Sequence, residues 1–272
     1  MPQLIPIDDP GDPRLDPYLR VRERDLAGRD GFIAEGEVVL RVLARSERAR
    51  AASVLLAENR ALKLAPILET LPGETPVYVA SQSVMDAAVG FHIHRGVLAH
   101  GVRPADPGPA AMLAGLPARA VVLALFGIAN HDNMGGIFRN AAAFGAAAVL
   151  LAPDCCDPLY RKAIRVSVGA TLRVPFARLR DGEDALALLA AAGFEALALS
   201  PAGGALLGDG PRAGRTALLL GAEGPGLPAD VLARARPVSI PMAAGWDSLN
   251  VASASAVALH ELTREARPRQ LP

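Results

Sequence analysis

Three short segments of this chain combine residue types that can do chemistry. The first, Asn130-His131-Asp132-Asn133-Met134-Gly135-Gly136-Ile137-Phe138-Arg139-Asn140, sets asparagines, two glycines and an arginine between an apolar run and an alanine-rich stretch. The second, 220–228, places one carboxylate, Glu223, among Gly221, Gly224 and Gly226. The third runs from Ile240-Pro241-Met242 through Ser248-Leu249-Asn250-Val251 into alanines and serines. Amides and a guanidinium bind hydroxyls and oxyanions, and glycines let backbone approach a ligand closely. Each segment also has a plain structural reading. Asn133 caps a helix on which Arg139 is solvated, 221–228 is a strand-to-helix turn, and Asp247 or Ser248 caps the last helix. Glu223 among glycines is what the plain reading explains least.

Several other chemistries are excluded or disfavoured. Gly221-x-x-Gly224-x-Gly226, broken by Pro225, is not the spacing of a dinucleotide fingerprint, and no Lys-Ser/Thr pair follows to make a Walker loop. His92 and His94 lie two apart on what reads as one strand face, with no carboxylate-rich cluster to complete a metal site, so none is expected. The only cysteines, Cys155 and Cys156, are neighbours that cannot close a loop. They read as a buried or idle pair in a reducing, cytoplasmic compartment. Trp246 is the single tryptophan, and core packing and base stacking are both open for it.

The elements that must carry these segments alternate. The proline-rich first thirty residues read as irregular. Strands are expected at 31–34, 52–57, 77–80 and 92–100, with helices at 37–45, 60–69 and 83–88, a small α/β domain over 1–102. Residues 103–118, rich in proline and glycine, read as a linker. Over 119–272 the apolar strands 120–126, 147–151, 194–199, 216–220 and 238–240 alternate with helices at 135–144, 158–166, 185–192 and 248–264. That pattern predicts an open parallel sheet with helices on both faces, and each chemical segment follows a strand, where ligands of such sheets bind.

At 272 residues and 51% hydrophobic content the chain has material for a full core and is not a disordered protein. No apolar stretch is long enough to span a membrane, and no signal peptide is visible. Net charge is zero, yet 95–180 holds ten basic residues against four acids, which permits a phosphate-binding face.

Taken in order, Asn133-x-Gly135-x-x-x-Arg139, Gly221-x-Glu223-Gly224-x-Gly226-Leu227, and Ile240-Pro241-Met242 with Ser248-Leu249-Asn250-Val251 resemble the three signature motifs of the SpoU (TrmH) family. That family belongs to the SPOUT superfamily of RNA methyltransferases. Arg165-x-Ser167-x-Gly169-Ala170 also resembles a family segment, and His131-Asp132 departs from the Pro that many relatives carry before the asparagine. Ala34-Glu35-Gly36-Glu37 and the domain around it are similar to the ribosomal-protein-like substrate-binding domain that precedes many members.

The resemblance implies a parallel α/β sheet with a trefoil knot, S-adenosylmethionine as methyl donor, and a ribose 2′-hydroxyl of RNA as acceptor. Ribosomal RNA is expected before tRNA, and neither DNA nor a membrane is expected as partner. It implies that Leu199, Gly221, Ile240, Met242 and Leu249 hold the cofactor. Arg139 would act on the hydroxyl as electrostatic stabiliser or as base, both roles being open, while Asn133 and Asn250 orient it and the ribose. Glu223 would neutralise or orient Arg139, and Ser248 would bind substrate or support the loop. A homodimer is expected, with the small-residue stretch 251–258 available for its contact. The competing readings are a noncatalytic RNA-binding scaffold and, with the fingerprint missing, a dinucleotide-dependent oxidoreductase.

Overall fold

A computed structural model describes residues 2–19, 31–209, 214–246 and 248–264. The chain divides into two compact units, 1–105 with 158–173, and 106–157 with 174–272.

The first unit contains β1 (Leu4–Ile7), β2 (Gly31–Glu35), α1 (Glu37–Ala44), β3 (Arg50–Ala57), α2 (Glu58–Leu68), β4 (Val77–Ala80), α3 (Gln82–Val89) and β5 (Val97–Val102). Its sheet runs β1-β4-β3-β5-β2, parallel between β1, β4 and β3 and antiparallel from β3 through β5 to β2. The start of the chain is more ordered than its prolines suggest. β1 is an edge strand, where Pro6 is tolerated because one row of ladder bonds is unused. A 3-10 helix, Pro13–Tyr18, is capped by Asp12 and buries Leu15 and Tyr18, whose hydroxyl meets Ser53 Oγ at 2.7 Å. Residues 20–30 lie outside the described residues. The strand expected at 92–100 begins only at Val97, because 92–96 turns, with His92 Nδ1 against Asp86 Oδ2 at 2.6 Å.

The second unit opens with α4 (Pro109–Ala114), which lies inside the segment read as a linker. Gly108 at φ 77° starts it, Pro109 suits its first turn, and Met112 and Leu113 are buried. Then come β6 (Ala120–Leu125), α5 (His131–Phe144) and β7 (Ala148–Leu151). The next helix, α6 (Arg161–Val166), belongs with the first unit, where Arg161 pairs with the buried Glu35 at 3.3 Å and stacks on Phe91. The second unit resumes with β8 (Phe176–Arg178), α7 (Ala185–Ala191), β9 (Glu195–Leu199), β10 (Ala205–Leu206), β11 (Arg215–Leu220), α8 (Ala229–Arg234), β12 (Arg236–Ser239) and α9 (Val251–Thr263).

Its sheet runs β10-β12-β9-β11-β6-β7-β8, and every pairing in it is parallel. Parallel strands are covered on both faces, which is why 120–125 and 216–220 read as apolar runs. Strand order moves outward from β6 to β8 and then reverses to the other side of β6. That reversal opens a crevice beyond the carboxyl ends of the strands. Before entering α9, the segment after β12 lines one cavity with the ends of β9 and β11, through Ile240, Met242 and Leu249 beside Leu199 and Leu220.

Candidate functional site

Helix α5 starts earlier than its glycines suggest. Asn130, not Asn133, is its cap, accepting from the Asp132 N–H at 2.7 Å and the Asn133 N–H at 3.4 Å. Asn133 is thereby left inside the first turn and buried. A corresponding shift occurs at α9. Its cap is Asn250, whose Oδ1 accepts from the N–H groups of Ala252 at 2.9 Å and Ser253 at 3.2 Å. Ser248 lies before the cap, and Asp247 lies outside the described residues.

Asn250 ties the three segments together. Its Nδ2 donates to Asn133 Oδ1 and to Glu223 Oε1, both at 2.8 Å. The amide has one orientation that suits all four partners. Two backbone N–H groups require its oxygen, and a carboxylate requires its nitrogen. One side chain thus caps a helix and fixes the relative positions of the first, second and third segments.

The glycine loop is built by close approach. A Cβ at Gly221 would run into the Gly226 carbonyl and the Leu227 amide. Gly224 and Gly226 sit at φ 86° and 74°, and the Gly226 N–H donates to the Ala222 carbonyl at 3.0 Å. Helix α9 is seated on α5 with equal closeness. Gly136 faces the Ala252 methyl, and Asn140 Nδ2 donates to the Ala252 carbonyl at 2.7 Å and Ser255 Oγ at 3.0 Å. Ala252 and Ser255, on the small-residue stretch expected to serve a dimer, therefore contact α5 of the same chain.

A cavity of about 540 Å³ lies at the carboxyl ends of β9, β11 and β12. Leu199, Gly221, Ile240, Met242 and Leu249 all line it, together with Glu223, Ser248 and Asn250. Its described lining holds one carboxylate, no basic side chain, and apolar walls that also include Leu220 and Val251. Asn133 stands one hydrogen bond behind the wall. Arg139 does not join them. It is exposed on α5 and absent from the lining. Six residues after Asn133, it projects about 120° away from it around the helix.

The remaining polar features do other work. Burial raises both thiols, Cys156 to about 12, and Cys155 Sγ–H donates to the Leu125 carbonyl at 3.2 Å, so neither is a ready nucleophile. His94 meets the His92 ring edge-on at 4.6 Å, and no group of metal-ligating side chains occurs among the described residues. Trp246 is 76% exposed and therefore not core. Sequence reasoning missed Asn140, which anchors α9, and Arg178, which donates to four backbone carbonyls. Asn140 carried a signal as the last polar residue of its segment. Arg178 carried none beyond its charge.

Known proteins share this architecture. Residues 120–260 match the SpoU rRNA Methylase family. A protein of Mycobacterium bovis described as an uncharacterized tRNA/rRNA methyltransferase is 43% identical over 267 residues, 94% of this chain and 90% of its own length. Among solved structures, an AdoMet-bound rRNA methyltransferase from Sinorhizobium meliloti superposes with a TM-score of 0.79 at 22% identity, covering 97% of this chain and 99% of that one. An RNA 2′-O ribose methyltransferase superposes with a TM-score of 0.74 at 24% identity, covering 96% and 99%. With more than half its length inside the family match and a full-length relative well above chance identity, the chain belongs to the SpoU rRNA methylase family, the RNA methyltransferases of the SPOUT class.

Proposed function

We propose that the protein transfers the methyl group of S-adenosylmethionine to a ribose 2′-hydroxyl of RNA, with ribosomal RNA as the preferred substrate. The observation that carries this reading is the Asn250 bridge, which draws Asn133 and Glu223 to the wall of a cavity whose described lining holds one acid and no base. Such a cavity suits a sulfonium cation with an apolar-sandwiched adenine, and it disfavours the pyrophosphate of a dinucleotide. The Sinorhizobium structure was solved with AdoMet, and the other superposed structure is named for 2′-O ribose methylation; both support the assignment by likeness of fold. The preference for ribosomal RNA rests on the first unit's resemblance to a ribosomal-protein-like binder.

The cofactor would lie between Leu199, Ile240, Met242 and Leu249, against the backbone of Gly221. It supplies an electrophilic methyl. The chain must supply an oriented ribose and a surrounding that favours alkoxide character, since a ribose hydroxyl is barely ionised at neutral pH. Asn250 is fully engaged by its four partners, so it acts as a fixed strut. Glu223 uses one lone-pair position on Asn250 and keeps others with which to hold a guanidinium.

Arg139 is the guanidinium this reading assigns to the ribose. Projecting away from its own Asn133, it is delivered to the cavity of a second copy, which makes the working form a homodimer. There it stabilises the developing oxyanion and holds the neighbouring phosphate. Mass-spectrometric mapping of ribose methylation in RNA from cells with and without the protein tests the proposal. A 2′-O-methyl nucleotide lost with the protein and restored by it is expected. Identical maps would favour the noncatalytic scaffold.

A further inference from the structure

The loop that launches α5 is gripped from behind by a side chain that does not line the cavity. Arg178, the last residue of β8, turns its guanidinium into the bend after β7. Its Nη1 donates to the carbonyls of Ala152 and Pro153 at 3.1 Å and of Cys155 at 2.8 Å, and its Nη2 donates to that of Cys156 at 3.0 Å. The bend in turn holds the loop after β6. The Gly127 N–H donates to Asp154 Oδ1 at 3.0 Å, and the Cys156 N–H donates to the Ile128 carbonyl at 2.9 Å.

Gly127 has little freedom within this grip. At φ 66°, a Cβ on it would meet the Ala222 methyl at 3.0 Å and Asp154 Oδ2 at 3.4 Å. The loop is therefore pressed between the Arg178-held bend and the glycine loop that walls the cavity. Three residues after Gly127 comes the cap Asn130, and three further on Asn133, the acceptor of Asn250.

We infer that Arg178 is a positioning residue for the site: through the 152–156 bend it sets the first turn of α5 and so holds Asn133 against Asn250. Only arginine offers a planar, permanently charged fork able to donate to several carbonyls at once. Lysine would place three donors on one atom and could not span the bend. The consequence for methyl transfer rests on the function proposed above, whereas the consequence for α5 does not.

The experiment compares the full-length wild type with Arg178→Lys, Asp154→Ala and the double variant. Amide hydrogen exchange and methyl transfer from S-adenosylmethionine to ribosomal RNA lacking the modification are measured. In Arg178→Lys, exchange over 126–134 should accelerate about tenfold relative to β11 and α9, since local opening is what the clamp suppresses. The kcat should fall at least about tenfold, because misplacement of a positioning group is costly to the rate. The KM for S-adenosylmethionine should change less than about threefold, because the 221–226 loop has its own closure. Asp154→Ala should act in the same direction, and the double variant should be no worse than Arg178→Lys alone, both belonging to one clamp.

Unchanged exchange over 126–134, acceleration spread evenly through the unit, or additive losses would overturn the inference. So would wild-type kcat in Arg178→Lys. A wild type that methylates no RNA would instead remove the methyltransferase reading, while the exchange pattern still decides the clamp.

Discussion

Replacing Asn250 separates its two duties, capping α9 and bridging the three segments. Asn250→Ala removes both. The lost cap costs about 1 kcal/mol. The lost bridge leaves the buried Asn133 Oδ1 without its donor, a further ~1–3 kcal/mol. Glu223 is exposed and rehydrates, so its share is small. The sum, roughly 2–4 kcal/mol, corresponds to a fall in Tm of about 4–16 °C for a unit of this size. Asn250→Ser keeps a capping oxygen but has no group that reaches Asn133, so it should recover about 1 kcal/mol of that loss.

Activity should not follow stability in this pair. Both variants lose the bridge, so both should lose at least about tenfold in methyl transfer at a temperature where each is folded. Thermal denaturation at fixed protein concentration and single-turnover transfer from labelled S-adenosylmethionine provide the two readouts. An Asn250→Ser protein restored in rate as well as in Tm would show that Asn250 matters only as a helix cap. The bridge to Asn133 and Glu223 would then play no part in methyl transfer.

Three further outcomes follow from the same geometry. If Arg139 serves the cavity of a second copy, purified heterodimers of Arg139→Ala with Asn250→Ala should contain one intact site of two and show about half the wild-type rate; no rate above either parent would place Arg139 in its own chain's site or outside the mechanism. S-adenosylhomocysteine should raise Tm, by about 2.7 kcal/mol of stability at a hundred times its Kd, with no shift from NAD. Gly221→Ala should abolish the shift, because the new methyl collides with Gly226 and Leu227. The Cys156 thiol, raised by burial from the ordinary 9 to about 12, favours the folded state fully below about pH 9 and loses that contribution as pH climbs toward 12. Wild type should therefore lose more Tm between pH 8 and 11 than Cys156→Ser, and parallel curves would refute the linkage.

The order of elements was legible where burial on both faces forces an apolar run, as in β6 and β11. It failed where length or pairing, not composition, defines the element. β8 and β10 are two or three residues long, too short for any periodicity. β1 is hidden by Pro6, which only its edge position makes acceptable. In 103–118, proline and glycine read as breakers, yet Gly108 and Pro109 stand where a helix begins. Residues 158–173 pack with the first unit, where Arg161 meets Glu35, 126 residues earlier in the chain, a distance across which no local pattern acts.

The site shows the same division between side chains and backbone. Asn133, Glu223, Ser248 and Asn250 stood out because polar groups and glycines interrupt apolar sequence just after strands. Their partners did not, because a helix boundary displaced by a few residues changes which asparagine is the cap. With Asn133 as cap, its oxygen would face its own backbone. With Asn130 as cap, that oxygen is released to Asn250, and the bridge becomes possible. Arg139 required only helical arithmetic, since six residues cannot return to the same face. Arg178 required more. The carbonyls it gathers belong to Ala152, Pro153, Cys155 and Cys156, and a carbonyl is common to every residue type. What singles these four out is the path of the bend, which the strands on either side create. A residue whose described hydrogen bonds all go to backbone carbonyls leaves a trace in the sequence only through its own charge, so in this fold the clamp behind the site becomes visible only after the sheet is built.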